Sequence, residues 1–364
     1  MTPKLNPHVA NLQKVCYAKE EAIFLPVDCA DGCNPYGCSD VVLNEIEKLR
    51  SQDVFEYPHG FELKDAIIRY WEGQAKLDRS MIYLANGSIE AIALTNTIFA
   101  REGAKFVGVW PQFTDYISNA RGNGLTYVPV MLRQEENYKI IPERIIEVLD
   151  NDVSLIYLDN PNNPTGQNIP LQDLRRILEA AKVRNICVVA DEAYGDSLPM
   201  EESAMNLINE FDNLIFIKTL SKGMGLAGMR AGYLVATPEI VASITKIGTP
   251  YCISGLSRKM AVAAMSDKSF IENSRQKTKD IKLRVMACTG NKLHMAETLD
   301  TCSICFLYHD DPNYDLSAAF TQFGVKTVAG NDFEGMGINT VRLRMPSAQG
   351  EEALLQAVKA INQG

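Results

Sequence analysis

Three short apolar runs, residues 153–158, 186–190 and 214–217, punctuate the middle of this chain. Between the first two lies a stretch, residues 170–183, in which Leu171, Leu174, Ile177, Leu178 and Ala181 recur at helical spacing. Such runs suit strands buried on both faces, and the amphipathic stretch between them suits a helix that crosses from one strand to the next. That is a βαβ unit. It commits the chain to an α/β fold with a mainly parallel central sheet and helices on both faces.

Each run passes directly into polar residues: Asp159 and Asn160 after the first, Asp191 and Glu192 after the second, Thr219, Ser221 and Lys222 after the third. Open α/β sheets bind ligands beyond the carboxyl ends of their strands, so three strand ends point at one crevice. A chain of 364 residues exceeds what one small core needs, and the pattern divides it. Residues 1–46, rich in turn formers (Asp31, Gly32, Asn34, Pro35, Gly37), read as an extended arm rather than a helix, joining a small domain. Residues 47–251 read as the large ligand-binding domain, and residues 252–364 as a smaller α+β domain.

A formal charge of −9 argues against a nucleic-acid partner, because phosphate backbones are gripped by clustered Lys and Arg. No stretch reads as a signal peptide or a membrane span, which predicts a cytoplasmic protein without a membrane partner. Nine scattered cysteines fit reduced thiols better than a disulfide framework. Cys29, Cys33 and Cys38, and the pair Cys302 and Cys305, lack paired zinc spacing and a nearby His, so no metal is expected.

Three loops carry chemistry-bearing residues. Thr219-Leu-Ser221-Lys222-Gly-Met-Gly225-Leu-Ala-Gly228-Met-Arg230 puts hydroxyls, glycines and a guanidinium around one lysine, which suits an anion site beside a nucleophilic amine. By composition alone it is commonly just a turn. Asn86-Gly87-Ser88-Ile89 opens an apolar helical run whose free N–H groups would bind phosphate, although Ser88 could simply cap the helix. Asp159-Asn-Pro-Asn-Asn163-Pro-Thr-Gly166 is dense in turn formers.

Together with Ala190-Asp191-Glu192-Ala193-Tyr194, these blocks resemble the pyridoxal-5′-phosphate (PLP) enzymes of fold type I, specifically the class I and II aminotransferases, over residues 57–344. The Ser-Lys-Gly-Met-Gly-Leu-Ala-Gly-Met-Arg block is similar to the histidinol-phosphate aminotransferase branch. The resemblance implies that Lys222 holds PLP as a Schiff base and moves a proton during catalysis, and that Asp191 pairs with the pyridine nitrogen. It implies that Asn163 and Tyr194 hydrogen-bond the phenolic oxygen. Gly87, Ser88, Ile89, Thr219, Ser221 and Arg230 would hold the phosphate, and Phe113 would stack on the ring, although by itself Phe113 reads more readily as core. Tyr57, in Glu56-Tyr57-Pro58, matches a tyrosine that reaches the neighbouring subunit's cofactor, which implies a homodimer. Arg342 matches the arginine that grips the substrate carboxylate. Arg344, two residues on and on the same strand face, is the alternative.

Two positions depart from that branch. Gly32-Cys33-Asn34-Pro35 stands where it typically carries Asn-Glu-Asn-Pro, and Val328 stands where it carries an arginine for the substrate phosphate. Lys326 is either a distal cation or a solvated side chain, the second being the usual state of a lysine. The expected function is transfer of an amino group between an amino acid and a 2-oxo acid by a ping-pong mechanism. A PLP-dependent lyase, decarboxylase or racemase on the same fold is the alternative.

Overall fold

In the computed structural model, residues 3–15 and 24–364 are described; Met1, Thr2 and residues 16–23 of the expected arm, Cys16 among them, lie outside. The central sheet has seven strands in the spatial order Ile82–Asn86, Ala231–Val235, Leu214–Thr219, Cys187–Asp191, Val153–Asp159, Lys105–Trp110 and Thr126–Met131. Ala231–Val235 runs antiparallel to both neighbours, and every other pairing is parallel. The sheet is therefore mixed but mostly parallel.

Strand alternation sorts its side chains into two cores. Leu155, Tyr157, Val189, Ile215 and Ile217 face helices Gly87–Phe99 and Thr114–Gly122, while Ile156, Leu158, Val188, Leu214 and Phe216 face helices Glu62–Tyr70 and Leu171–Lys182. The last of these helices buries Leu174, Ile177, Leu178 and Ala181, one apolar stripe, against the sheet. A fully buried aliphatic side chain contributes roughly 1.5–3 kcal/mol, so the stripe outweighs any local preference of the segment. Asp173 in its first turn and Lys182 in its last complement the helix dipole.

The C-terminal unit is α+β. An antiparallel sheet in the order Val328–Ala329, Thr340–Arg344, Ile304–His309 and Leu293–Met295 packs against helices Lys268–Met286, Leu316–Gln322 and Ala348–Gln363. The N-terminal arm joins it: Val27–Asp28 pairs parallel with Val325–Lys326.

Two features differ from the expectations drawn from the sequence. The arm is not wholly extended: it contains helices Pro7–Ala10 and Asp40–Ile46. Asn6 caps the first by accepting from the His8 N–H, with proline in the opening turn, and the second follows Ser39, carries Asp40 in its first turn and buries Val42. Turn residues dominate only as far as position 38. The second concerns the expected boundary at residue 252: helix Gly255–Met265, beyond it, packs on Asp40–Ile46 and Glu62–Tyr70 and places Met260 and Ala261 in the core of the large sheet. A break at Ser266 and Asp267 separates it from helix Lys268–Met286, which places Ile271 in the same core but Ile281 and Val285 in that of the C-terminal unit.

Candidate active site

The strand ends open into a cavity of about 330 Å³. At its floor, Asp191 ends its strand opposite Asp159, its cross-strand partner, and both carboxyls are buried. Burial pushes Asp191 up to about 6, against hydrogen bonds from the Tyr157 hydroxyl and the Ala193 N–H and the positive charge of Lys218 and Lys222. Burial raises Asp159 to about 7, although it accepts from the Asn163 N–H at 2.8 Å and from Asn162 Nδ2 at 3.0 Å. Asp191 is thus a carboxylate kept short of solvent, ready for a cationic partner that would repay its burial.

One end of the cavity is an anion cradle. Gly87 and Ser88 begin helix Gly87–Phe99, whose first N–H groups open onto the cavity beside Ile89, while Thr219 and Ser221 come from the end of the neighbouring strand but one. Thr219 Oγ1 donates to Ser221 Oγ at 2.9 Å, and Arg230 Nη1 lies 3.4 Å from that same oxygen. Arg230 has φ 52, in the left-handed region an ordinary side chain rarely adopts, and its guanidinium lies against Gly87. Hydroxyls, a helix start and a fixed cation at one point suit a dianion. Phe113 lines the cavity at the start of helix Thr114–Gly122, its N–H reaching Asp159 Oδ2 at 3.4 Å.

Lys222 and Tyr194 complete the wall, the ammonium 5.7 Å from the centre of the Tyr194 ring. Burial raises the phenol above its ordinary pKa, so Tyr194 stays protonated and able to donate. The arm closes over both groups: a Cβ at Gly32 would stand 2.6 Å from Lys222 Nζ and 2.6 Å from Tyr194 Oη. Any larger residue there would have to displace the lysine amine or the phenol.

The two arginines of strand Thr340–Arg344 are both buried and do different things. Arg342 Nη1 donates to Asn163 Oδ1 at 3.2 Å, so it reaches the cavity lining, and Nη2 donates to the Ala30 carbonyl. Arg344 is engaged by the arm: it donates to the carbonyls of Asp31 and Asp28 and to that of Met345. Lys326 is partly exposed and its ammonium pairs with Asp28 at 3.2 Å, because the strand pairing of the arm brings that carboxylate to it. Tyr57 is 71 % exposed and stands outside the cavity, packed against Tyr251 with ring centroids 4.9 Å apart and planes tilted by 33°.

Sequence reasoning alone misses Tyr157 and Gly32. Tyr157 lies two residues before Asp159 on the same strand face, so alternation is a signal that could have placed its hydroxyl with the carboxylates. Gly32 carries only a turn signal, and its place over Lys222 depends on contacts 190 residues apart in sequence. Among the described residues no group of three or more His, Cys, Asp or Glu is placed to hold a metal ion, and no helix is long and apolar enough to cross a membrane.

A family model described as aminotransferase class I and II matches residues 27–361. Among curated proteins, the chain is 34 % identical over 224 residues to the histidinol-phosphate aminotransferase of Thermoanaerobacter pseudethanolicus, a match covering 61 % of each chain. It is 32 % identical over 279 residues to histidinol-phosphate aminotransferase 2 of Haemophilus influenzae, covering 74 % of this chain and 72 % of that one. Among solved structures, a histidinol-phosphate aminotransferase of Sinorhizobium meliloti in complex with PLP superimposes with a TM-score of 0.83 at 20 % identity, over 100 % of this chain and 98 % of that one. The Thermus thermophilus aspartate aminotransferase with maleate gives 0.85 at 17 % identity over 100 % of both chains. At such identity the structures speak for the fold, which is that of the PLP-dependent transferases. The length and continuity of the family match decide the remaining point: this chain belongs to the class I and II aminotransferases.

Proposed function

We propose that the protein is a PLP-dependent aminotransferase that moves an amino group between an amino acid and a 2-oxo acid in two half-reactions. The observation that carries this reading is the convergence of a lysine amine, a buried carboxylate and an anion cradle on one cavity. A phosphate-bearing pyridine ring fits these groups in charge. Arg230, Ser221, Thr219 and the start of helix Gly87–Phe99 would hold the phosphate, Asp191 would pair with the ring nitrogen, and Phe113 would lie against the ring face. When bound, PLP supplies an electron sink for the pair of electrons left when the amino acid's Cα–H bond breaks.

This chain's own groups do the rest. Lys222 would hold the cofactor through its amine and, as a free amine, would take and return the substrate Cα proton. Asp191, ionised, holds the ring nitrogen protonated. Tyr194 and Asn163 would hydrogen-bond the ring oxygen, and Arg342, already next to Asn163, would grip the α-carboxylate with its planar guanidinium.

We place the active form as a homodimer in the cytoplasm. Val54, Phe55, Tyr57 and Phe61 are each more than half exposed along one short stretch, a pattern that favours coverage by a second subunit, with Tyr57 reaching the neighbouring site. The free thiols of Cys29, Cys33, Cys38, Cys187, Cys252, Cys288, Cys302 and Cys305 fit a reducing compartment.

The test is the visible absorption of the PLP-loaded protein titrated with single amino acids and L-histidinol phosphate, without oxo acid. Loss of the cofactor's original band with one donor, restored by a 2-oxo acid, is expected. Release of carbon dioxide, ammonia or inverted amino acid with the band unchanged overturns transamination.

A further inference from the structure

Strand Leu214–Thr219 carries a second lysine, Lys218, on the face opposite Thr219 and therefore beneath the cavity floor. Its side chain is 1 % exposed and its ammonium lies 2.7 Å from Asp196 Oδ1, itself 4 % exposed. Above, the pair enters only through the positive charge of Lys218 acting on Asp191. A buried ion pair is weak as a source of stability, since desolvation of both ions offsets their attraction, so its presence calls for another explanation.

What the pair touches supplies one. Asp196 belongs to the turn Gly195–Ser197, which begins at Tyr194. On its other side the Asp196 side chain abuts the backbone that follows Lys222: a Cβ at Gly223 would stand 2.3 Å from Asp196 Cβ and 2.4 Å from its Oδ2. Asn34 of the arm, next to the residues that cover Lys222, donates to the Gly223 carbonyl at 2.8 Å. Tyr194 and Lys222 thus both sit on irregular connections rather than on strands, and one ion pair lies against both connections. Glu192, the next buried acid, accepts from Ser203 Oγ and the Ala204 N–H and also lies within the field of Lys218 and Asp196.

We propose that Lys218 and Asp196 are positioning residues that fix Tyr194 and Lys222 relative to each other across the reacting centre. The ion pair is anchored to the central strand at Lys218, so it sets the height of the 194–197 turn, and that turn in turn backs the 222–223 backbone. Displacement of the amine by about 1 Å would cost roughly 100-fold in rate while leaving the carboxylate grip at Arg342 intact. This inference rests on the reading of Lys222 as the cofactor lysine.

The experiment compares wild type with the double variant Lys218→Met/Asp196→Leu, which replaces the pair by apolar side chains and on general grounds should fold as stably as wild type. Three quantities are measured on PLP-loaded protein: the urea midpoint, the fraction trapped on Lys222 by borohydride, and kcat and KM for the fastest donor of the absorption panel. A wild-type midpoint with kcat lowered roughly 100-fold, KM within about threefold and a displaced absorption maximum is expected. Wild-type kcat and absorption in the double variant overturn the proposal. Should the double variant not fold, Asp196→Asn and Lys218→Arg are read below their own unfolding temperatures. Lowered kcat in Asp196→Asn with recovery in Lys218→Arg supports positioning, and wild-type kcat in both overturns it. If wild type itself traps no PLP on Lys222, the cofactor reading fails instead, and the two failures are distinguished.

Discussion

The floor of the cavity and its roof are built from the same chain by different means. The floor uses strand ends and the loops that follow them: Asp159 and Asp191 are cross-strand neighbours, and Thr219, Ser221 and Lys222 continue the next strand. Backbone ladders hold these groups in register, and the residues that pack beneath them are fully buried. The roof is formed where the arm crosses strand Thr340–Arg344: a short backbone ladder fixes its base at Val27–Cys29, and beyond that side chains hold it, Arg342 and Arg344 on arm carbonyls and Lys326 on Asp28. Burial therefore makes the floor rigid and costly to charge. The roof has fewer backbone links and depends more on individual side-chain contacts, one of them partly exposed.

The comparison is broken or sharpened most strongly at Lys222. Lys222→Ala should lose the borohydride-stable adduct and lower turnover by roughly 10³-fold or more, since both nucleophile and proton carrier are gone. An adduct retained at full yield would remove the lysine from the floor's chemistry. Asp191→Asn keeps the shape of the floor but not its charge, and should cost roughly 10²–10³-fold in kcat with the adduct still formed; an unchanged kcat would show that ring protonation does not depend on this carboxylate.

The roof should respond less and in a different parameter. Arg342→Ala is expected to remove about 1.5–3 kcal/mol from kcat/KM for the amino acid, mostly through KM. Arg344→Ala should instead loosen the arm, seen as faster proteolysis near residues 28–35 with a smaller change in kcat/KM. The reverse ranking in steady-state kinetics would assign the carboxylate to Arg344.

The floor also predicts a pH dependence. Asp191 is raised from 3.8 to about 6, Asp159 from 3.8 to about 7 and Glu192 from 4.5 to about 7, in each case by burial. Between those values the folded chain keeps protons that the unfolded chain has shed, so the cofactor-free protein should lose stability as pH rises from about 4 to about 7. Urea midpoints that rise over that interval would contradict the burial of these charges. PLP, whose ring nitrogen favours ionised Asp191, should reduce the loss. The smallest effect is expected from Tyr157→Phe. Without that hydroxyl the Asp191 carboxylate loses a donor, and the acidic limb of the pH–rate profile should move upward by up to about 1 unit. A limb that stays in place or moves down would mean the bond to Tyr157 does not stabilise the charged form.

Much of this contrast is legible in the sequence. Strand ends converge by a rule of α/β sheets, so residues 153–158, 186–190 and 214–217, with the polar residues after them, point to one crevice. The strand carrying Arg342 is readable by its alternation, but the choice between Arg342 and Arg344 is not, since both share a face; the structure separates them by what each touches. Helix Gly255–Met265 shows the opposite case. Its periodicity is plain, yet a helix pattern does not say which of two sheets its apolar stripe will cover.

The sequence by itself determined the motifs, their order along a mainly parallel sheet and the amine, carboxylate and anion-binding groups brought to its carboxyl edge. Those follow from local periodicity and from the chirality of strand–helix–strand connections, which act over tens of residues. Only the tertiary structure decided that Gly32 lies on Lys222, that Lys326 is spent on Asp28 and that Lys218 and Asp196 meet beneath the floor. The first two join residues roughly 190 and 300 positions apart, and the third brings a strand residue to a turn on another connection. No periodicity records such meetings, because they arise when independently formed elements pack and their buried charges must find partners.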